Sequence, residues 1–279
     1  MRYNLAEMTI RAKRPKRKAI PIRDIPVPSM FAGDLYRGAY LPVVSLWAET
    51  IPIILAEYTR TQAAQTTDSP ADIQAKIAQA ESRFSILTIT LTPFIERWAL
   101  RVEQWTRGKW RNAVLSATNV DIAQMIGPQA ARQTVESAIA YNVSLVKDIS
   151  AEAQRKMTAI VYDGLRANKP AREVAKELRG VVALGRARSI RIASDQLSKL
   201  TSSLADERRR DAGITAWKWL HSGKRNPRQD HIARNGNIYS DDPAQVGQVL
   251  EGQTVNAPPE DRVGQLPFCG CRSQSVLSF

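Results

Sequence analysis

From about residue 42 to residue 212 apolar side chains recur at spacings of three and four, and at Gly213 that pattern stops. A period near 3.6 held for so long commits most of the chain to α-helix. Phe94, Trp98, Val102 and Trp105 mark one apolar helix face, and Val143, Val146, Ile149, Ala153, Met157, Ile160 and Val161 mark another that reaches about Arg166. An aromatic stripe can stack on bases, but helical spacing favours core or a helix–helix contact. Ser69-Pro70 and Thr92-Pro93 each set a capping hydroxyl before a proline at the first helical position, which predicts two helix starts. Asp72 and Glu96 then add the negative charge that a first turn favours. Further on, a helix is expected from Pro128 through Tyr141, and Asn168-Lys169-Pro170 predicts a break. A short helix with Val174, Ala175 and Leu178 should then end at Gly180, and a last long one should span about Arg186 to Asp211.

After Gly213 the texture changes. Ile214, Ala216, Trp217, Trp219 and Leu220 predict a short strand, and Ile238-Tyr239 a second. Gly223, Asn226-Pro227 and Asn235-Gly236 supply turns, and a long loop holding Gly247, Gly252, Pro258 and Pro259 leads to a closing strand at Ser273 to Leu277. At the other end, Arg11, Lys13, Arg14, Lys16, Arg17 and Lys18 crowd a stretch with no acidic residue, followed by Pro21, Pro26 and Pro28. Proline at that spacing opposes helix and central strand, which predicts an extended arm that orders against a partner. The expected fold is mainly α with a small C-terminal α+β module. A basic, Pro-rich arm (1–30) precedes an extended helical body (31–212), and the module occupies 213–279.

Forty Lys and Arg against 27 Asp and Glu leave a formal charge of +13, which favours a polyanionic neighbour such as nucleic acid. The arm and the outer face of the last helix, with Arg208, Arg209 and Arg210, are the candidate contacts. Cys269 and Cys271 are too few and too close for a disulfide framework, so a reducing compartment is the simpler setting. The N-terminus has charge without an apolar core, so no signal peptide is expected. The apolar stretch Leu41 to Leu55 contains Pro42, Glu49 and Pro52 and reads as too short and too polar to cross a bilayer, so no membrane partner is expected.

Both histidines and both cysteines fall between residues 221 and 271. His231, Cys269 and Cys271 make three candidate zinc ligands, with His221, Asp230 or a water as the fourth. Sulfur and imidazole are what structural zinc takes, and a metal would hold together a small loop-rich module. Cys-x-Cys is a poorer metal signal than Cys-x-x-Cys, and the plain alternative is a hydrogen-bonded module in which the cysteines pack as small apolar residues.

The order of motifs says more. Trp217 and Trp219-Leu220-His221-Ser222-Gly223 are followed by Pro227-Arg228-Gln229-Asp230-His231, Asn235-Gly236, and Leu266-Pro267-Phe268-Cys269-Gly270-Cys271-Arg272. This string resembles the C-terminal module of the Mu F-like minor head proteins, the phage head morphogenesis family. The preceding helix, with Arg186, Ala187, Ile190, Ala193, Asp195 and Gln196 running into Gly213-Ile214 and Trp217, is similar as well, so the resemblance covers roughly residues 140 to 279. Where many members carry Asp-x-Arg-Thr, this chain has Lys224-Arg225-Asn226-Pro227-Arg228, and Cys269 and Cys271 stand where the final pair is often His and Cys. The resemblance implies a non-enzymatic minor capsid component of the virion, assembled in the host cytoplasm and sited inside the head at the portal vertex. It would act in procapsid assembly, DNA packaging or DNA release. Its partners would be the portal protein, other head proteins or copies of itself, and packaged DNA bound without sequence preference.

Three other readings compete. A His-Asn-His type metal nuclease would use Asp230, His231 and Asn235, but no histidine follows His231 to complete the site. A cysteine hydrolase would need Cys269 or Cys271 beside His231. A DNA-binding helical protein with a zinc ribbon lacks the paired Cys-x-x-Cys.

Overall fold

A computed structural model of the protein describes residues 2–13, 15–64 and 69–279. The chain is mainly α, with a small C-terminal α+β part. Its helices are α1 (Leu5–Lys13), α2 (Met30–Leu35), α3 (Leu41–Ala64), α4 (Ser69–Thr118), α5 (Arg132–Arg166), α6 (Ala171–Asp211) and the short α7 (Gln229–Ala233). Its strands are β1 (Ala19–Pro21), β2 (Ala216–Leu220), β3 (Ile238–Ser240), β4 (Val249–Leu250), β5 (Gln253–Asn256) and β6 (Arg272–Ser278). They form one sheet in the order β1-β6-β2-β3-β5-β4, antiparallel throughout except for the β3–β5 pair.

The helices are longer than local signals predict. Pro93 lies inside α4, and Thr92 is an interior residue whose hydroxyl donates to the Thr88 carbonyl (3.1 Å). Proline removes one helical hydrogen bond, and packing overrides that loss here: Phe94 lies so close over Gly38 that a Cβ on the glycine would meet its ring at 2.0 Å. Gly180 does not end a helix; α6 runs through it for 41 residues to Asp211, and Gly213, at a φ of +71°, turns the chain away just beyond. The break at Asn168-Lys169-Pro170 is where the sequence puts it, with Asn168 at φ +47°.

The chain divides into two compact units, and the boundary is not at Gly213. One unit joins Met1–Phe31, Ala99–Ala138 and Ser194–Phe279; the other joins Ala32–Trp98 and Ile139–Ala193. Helix α2, a π turn at Tyr36–Tyr40 and α3 form a single helical rod, which belongs to the second unit from Ala32 on. It is long and apolar enough, by length and composition alone, to cross a membrane, which corrects the expectation from Pro42 and Pro52: both prolines are absorbed within the rod. Half of its most apolar stretch is buried in the protein. Tyr40 and Trp47 on its buried face hydrogen-bond Asn142 (2.5 Å) and Ser150 (2.9 Å) of α5, as a core helix does.

The largest departure is the N-terminal segment, which is not an extended arm. Tyr3, Leu5 and Ile22 are buried with Trp110 and Val114 of α4, Ile122, Ala212, Ile214 and Leu277. The amides of Arg2 and Tyr3 donate to the Asp211 carbonyl, and that of Leu5 to Ala212, satisfying the carbonyls left open at the end of α6. β1 pairs with β6, Ala19 opposite Ser278 and Pro21 opposite Val276. An edge strand tolerates Pro21, because the missing N–H is not needed by a neighbour. Apolar residues spaced between the charges therefore outweigh the basic run. Arg11, Lys16, Arg17 and Lys18 remain exposed on this folded segment, Lys13 closes α1, and Arg14 lies outside the described residues.

Candidate metal centre

β2 turns its tryptophans into a small apolar cluster with Tyr239, Val263, Cys269 and Cys271, capped by Leu266. Trp217 stacks on Tyr239 with ring centroids 4.9 Å apart, and Trp219 meets His231 edge-on at 5.0 Å. His231 enters this cluster from α7, a helix too short to hold itself. It is tied at one end by Arg228, which donates to the Pro267 carbonyl (3.1 Å). At the other end, Gly236 at φ +84° lets the chain reverse so that its amide donates to the Trp219 carbonyl (2.8 Å). The loop before β6 is pinned to α6: Phe268 donates its amide to Asp195 (2.5 Å). Gly264 is required there, since a Cβ would meet the Ser202 hydroxyl at 2.4 Å.

These ties bring His231, Cys269 and Cys271 together, all three buried. His231 Nδ1 lies 3.6 Å from Cys269 Sγ and 3.7 Å from Cys271 Sγ. On the far side of the ring, Nε2 is 2.8 Å from Asp261 Oδ2, and Asp261 Oδ1 accepts from Arg234 (2.6 Å). Arg234 in turn pairs with Asp230 (3.1 Å) and lies over the Trp219 ring, 5.1 Å from its centroid. A carboxylate at Nε2 assigns the ring proton there and leaves the Nδ1 lone pair facing both sulfurs. That is the arrangement in which outer carboxylates orient metal-ligating histidines. Burial opposes the Asp261 charge, but hydrogen bonds from Arg234 and His231 hold its carboxyl below the usual carboxylate range. The hydrogen bond between the two side chains pulls the Cys269 thiol down and pushes the Cys271 thiol up. Three soft and borderline donors around one point can hold a metal ion; without one, the same contacts are hydrogen bonds.

The sequence expectations divide. His231, Cys269 and Cys271 converge as expected. His221 does not join them: its Nδ1 accepts from the Gly223 amide (3.2 Å), so it serves the turn after β2. Asp230 lies on the Nε2 side of His231, exposed and paired with Arg234, away from the sulfurs. Asp261 was missed, lying thirty residues from His231 in the long loop. Its only sequence signal is a carboxylate beside Pro258-Pro259 in a loop too long to be idle. Arg272, the last motif residue, bonds Asp24 through Nη2 (2.8 Å) and Nε (2.9 Å), fastening β6 to the segment after β1. Asn235 accepts from the His221 amide (2.9 Å), which leaves it in a turn rather than in a nuclease constellation. Asp261, His231 and Cys269 do stand in the order orienter, base and thiol, but the two cysteines are only 3% and 2% exposed.

Two expected polyanion contacts are overturned. Arg208 is buried and donates to the Glu103 carbonyl (3.1 Å) and carboxylate (3.3 Å); burial pushes it down to about 10. Arg209 is buried too, pairs with Asp206 (2.6 Å) and lies over the Trp217 ring. Consecutive helical residues point about 100° apart, so only Arg210 of the three is exposed.

No protein-family profile matches the chain, and neither does any solved structure. An uncharacterized protein of Haemophilus influenzae is 26% identical to it over 139 residues, which is 48% of this chain. The match spans 31% of that relative's own length.

Proposed function

We propose that the protein is a structural, non-enzymatic component of a virus head of the Mu F-like minor head type. On this reading it is sited at the portal vertex inside the head and acts in procapsid assembly, DNA packaging or DNA release. The observation that carries it is that the dispersed motif residues fold as one module. Trp217, Trp219 and Cys271 share one cluster, His231 and Gly236 contact Trp219, Arg228 holds the Pro267 carbonyl beside it, and Arg272 pairs opposite Leu220 of β2. Residues that share only an accidental order have no reason to share a core. The exposed Arg11, Lys16, Arg17, Lys18 and Arg210 supply cations for packaged DNA, lowering phosphate repulsion without reading sequence.

The module's cofactor on this reading is structural zinc, held by His231 Nδ1, Cys269 Sγ and Cys271 Sγ. Tetrahedral zinc with ordinary Zn–S and Zn–N bonds separates nitrogen from sulfur by about 3.6 Å. The separations of 3.6 and 3.7 Å match that geometry. Zinc would cross-link α7, the long loop and the start of β6.

Co-expression with the portal protein of the same virus tests the assembly reading. The two should co-sediment under assembly conditions and separate when the head module is disrupted by Trp219→Ala. A chain that folds and never associates with portal ends the head-component reading.

A further inference from the structure

A groove of about 370 Å³ runs along α4 within the unit that holds the sheet. Trp105, Lys109, Asn112 and Ser116 follow one another at steps of four, three and four, which sets them on one helix face. The opposite wall is the strap after β1, beginning at Arg23. The lining differs from a core remnant: it offers an indole, an amide, a hydroxyl and two exposed cations, Arg23 and Lys109. The acid at the rim, Asp24, is already held by Arg272 at 2.8 Å, so it does not cancel those cations. Trp105 is half-buried, braced edge-on by Phe31 at 6.0 Å, and the Lys109 ammonium lies 5.6 Å from its ring centroid. A cation is therefore already held beside an aromatic face inside the groove.

We propose that this groove binds a segment of single-stranded nucleic acid. Arg23 and Lys109 meet backbone phosphates, the Trp105 indole stacks on one base, and the Asn112 amide meets a base edge. Single-strand sites combine cations that track the backbone with aromatic rings for the bases, whereas a duplex keeps its bases stacked on each other. The volume lies at the low end for small-ligand sites, which suits one splayed nucleotide and not a duplex. The proposal shares with the head-protein reading only the polyanion contact, and moves its specific part from the end of α6 to the face of α4.

The test is fluorescence anisotropy of labelled oligothymidylate of about 12 nucleotides, within the range of roughly 4–16 that one such site covers, with the full chain. Lys109→Gln and Arg23→Gln should each weaken binding about 3- to 10-fold and lower the slope of log K against log salt by about 0.7, one single-strand phosphate contact each. Trp105→Leu should weaken it at least about 5-fold and Trp105→Phe less, because a smaller ring still stacks; thermal midpoints establish that both variants fold. Lys176→Gln, an exposed lysine of the other unit, should change nothing. Equal losses for Lys176→Gln and Lys109→Gln, indifference to all the groove substitutions, or a preference for duplex or for free thymidine monophosphate would each overturn the proposal. A chain that joins the portal without groove dependence loses the groove alone. One that shows the groove pattern and never joins the portal loses the head reading alone.

Discussion

Leu5→Ala separates a folded N-terminal segment from a loose basic arm. Leu5 is fully buried on α1, among Trp110, Val114, Ile122, Ile214 and Leu277. Replacing it with alanine removes about three carbons from the core, roughly 2–2.5 kcal/mol of transfer free energy at ~0.8 kcal/mol per methylene. The cavity left behind raises the loss to about 3–4 kcal/mol, since the neighbours belong to three separate chain segments and cannot all close on the gap. The Leu5 amide still donates to Ala212 in the variant, so the change is a side-chain effect. In thermal unfolding such a loss moves the midpoint down by roughly 6–15 °C for a domain of about 150–250 residues. Ile10→Ala is the control: Ile10 sits on the same helix but is 45% exposed, and its loss should stay within about 0.5 kcal/mol. If the two variants unfold at the same temperature as the parent, Leu5 is not packed and the segment is an arm after all. Packing also changes how the basic run is tested. Deleting residues 1–28 would remove β1 and Ile22 from the core, so weaker DNA association after deletion says nothing about charge. Arg17→Gln and Lys18→Gln, both at exposed positions, isolate the electrostatic contribution.

Three further outcomes are expected. Purified protein should carry zinc at about one ion per chain by elemental analysis; His231→Ala and Cys269→Ser should lose it while His221→Ala keeps it, and an intact protein free of metal would remove zinc from the proposal. Glu103→Ala should destabilise the protein by about 3–5 kcal/mol in urea titration, because it strands the buried Arg208 guanidinium; a loss below about 1 kcal/mol would mean that Arg208 reaches solvent. The Arg111 guanidinium and the Ala123 amide hold Asp121 down at about 2, against an ordinary 3.8. A depressed carboxyl stabilises the fold above its unfolded value and loses that contribution as pH falls through its folded one. Asp121→Asn should therefore lower the thermal midpoint at pH 7, with the difference from the parent closing between about pH 4 and pH 2; a pH-independent difference would contradict the pairing.

Much of this architecture was legible in the sequence wherever the signal was periodic. The helical spacing, the stop at Gly213, the strand at Trp217 and Trp219, and the convergence of His231 with Cys269 and Cys271 all followed from residue type and order. What failed to show was decided by packing across long separations. Thr92-Pro93 has every local mark of a helix start, yet Phe94 against Gly38 holds the helix through it. Arg208, Arg209 and Arg210 are indistinguishable as a run, and only the phase of α6 sends two inward and one outward. Asp261 gives no motif at all, because its partner His231 lies thirty positions away and only the folded loop brings them to 2.8 Å.

The N-terminal segment changes the functional argument most. Charge and proline content assign residues 1–30 to a tail that would work apart from the module, while Leu5, Ile22 and the β1–β6 pairing make them part of one unit with it. Arg272 then has two roles: it closes the motif string of the module, and it neutralises Asp24 so that the strap can present Arg23 to the α4 groove. Arg272→Ala should accordingly weaken oligonucleotide binding although Arg272 is not assigned to the nucleic acid itself, because it frees a carboxylate at the groove rim. Arg272→Ala combined with Asp24→Asn should restore most of that binding, since the double variant removes the freed charge along with its partner. A direct phosphate contact by Arg272 would leave the double variant as weak as the single one, and a double-mutant cycle separates the two outcomes, since the coupling is large for rescue and near zero for a direct contact.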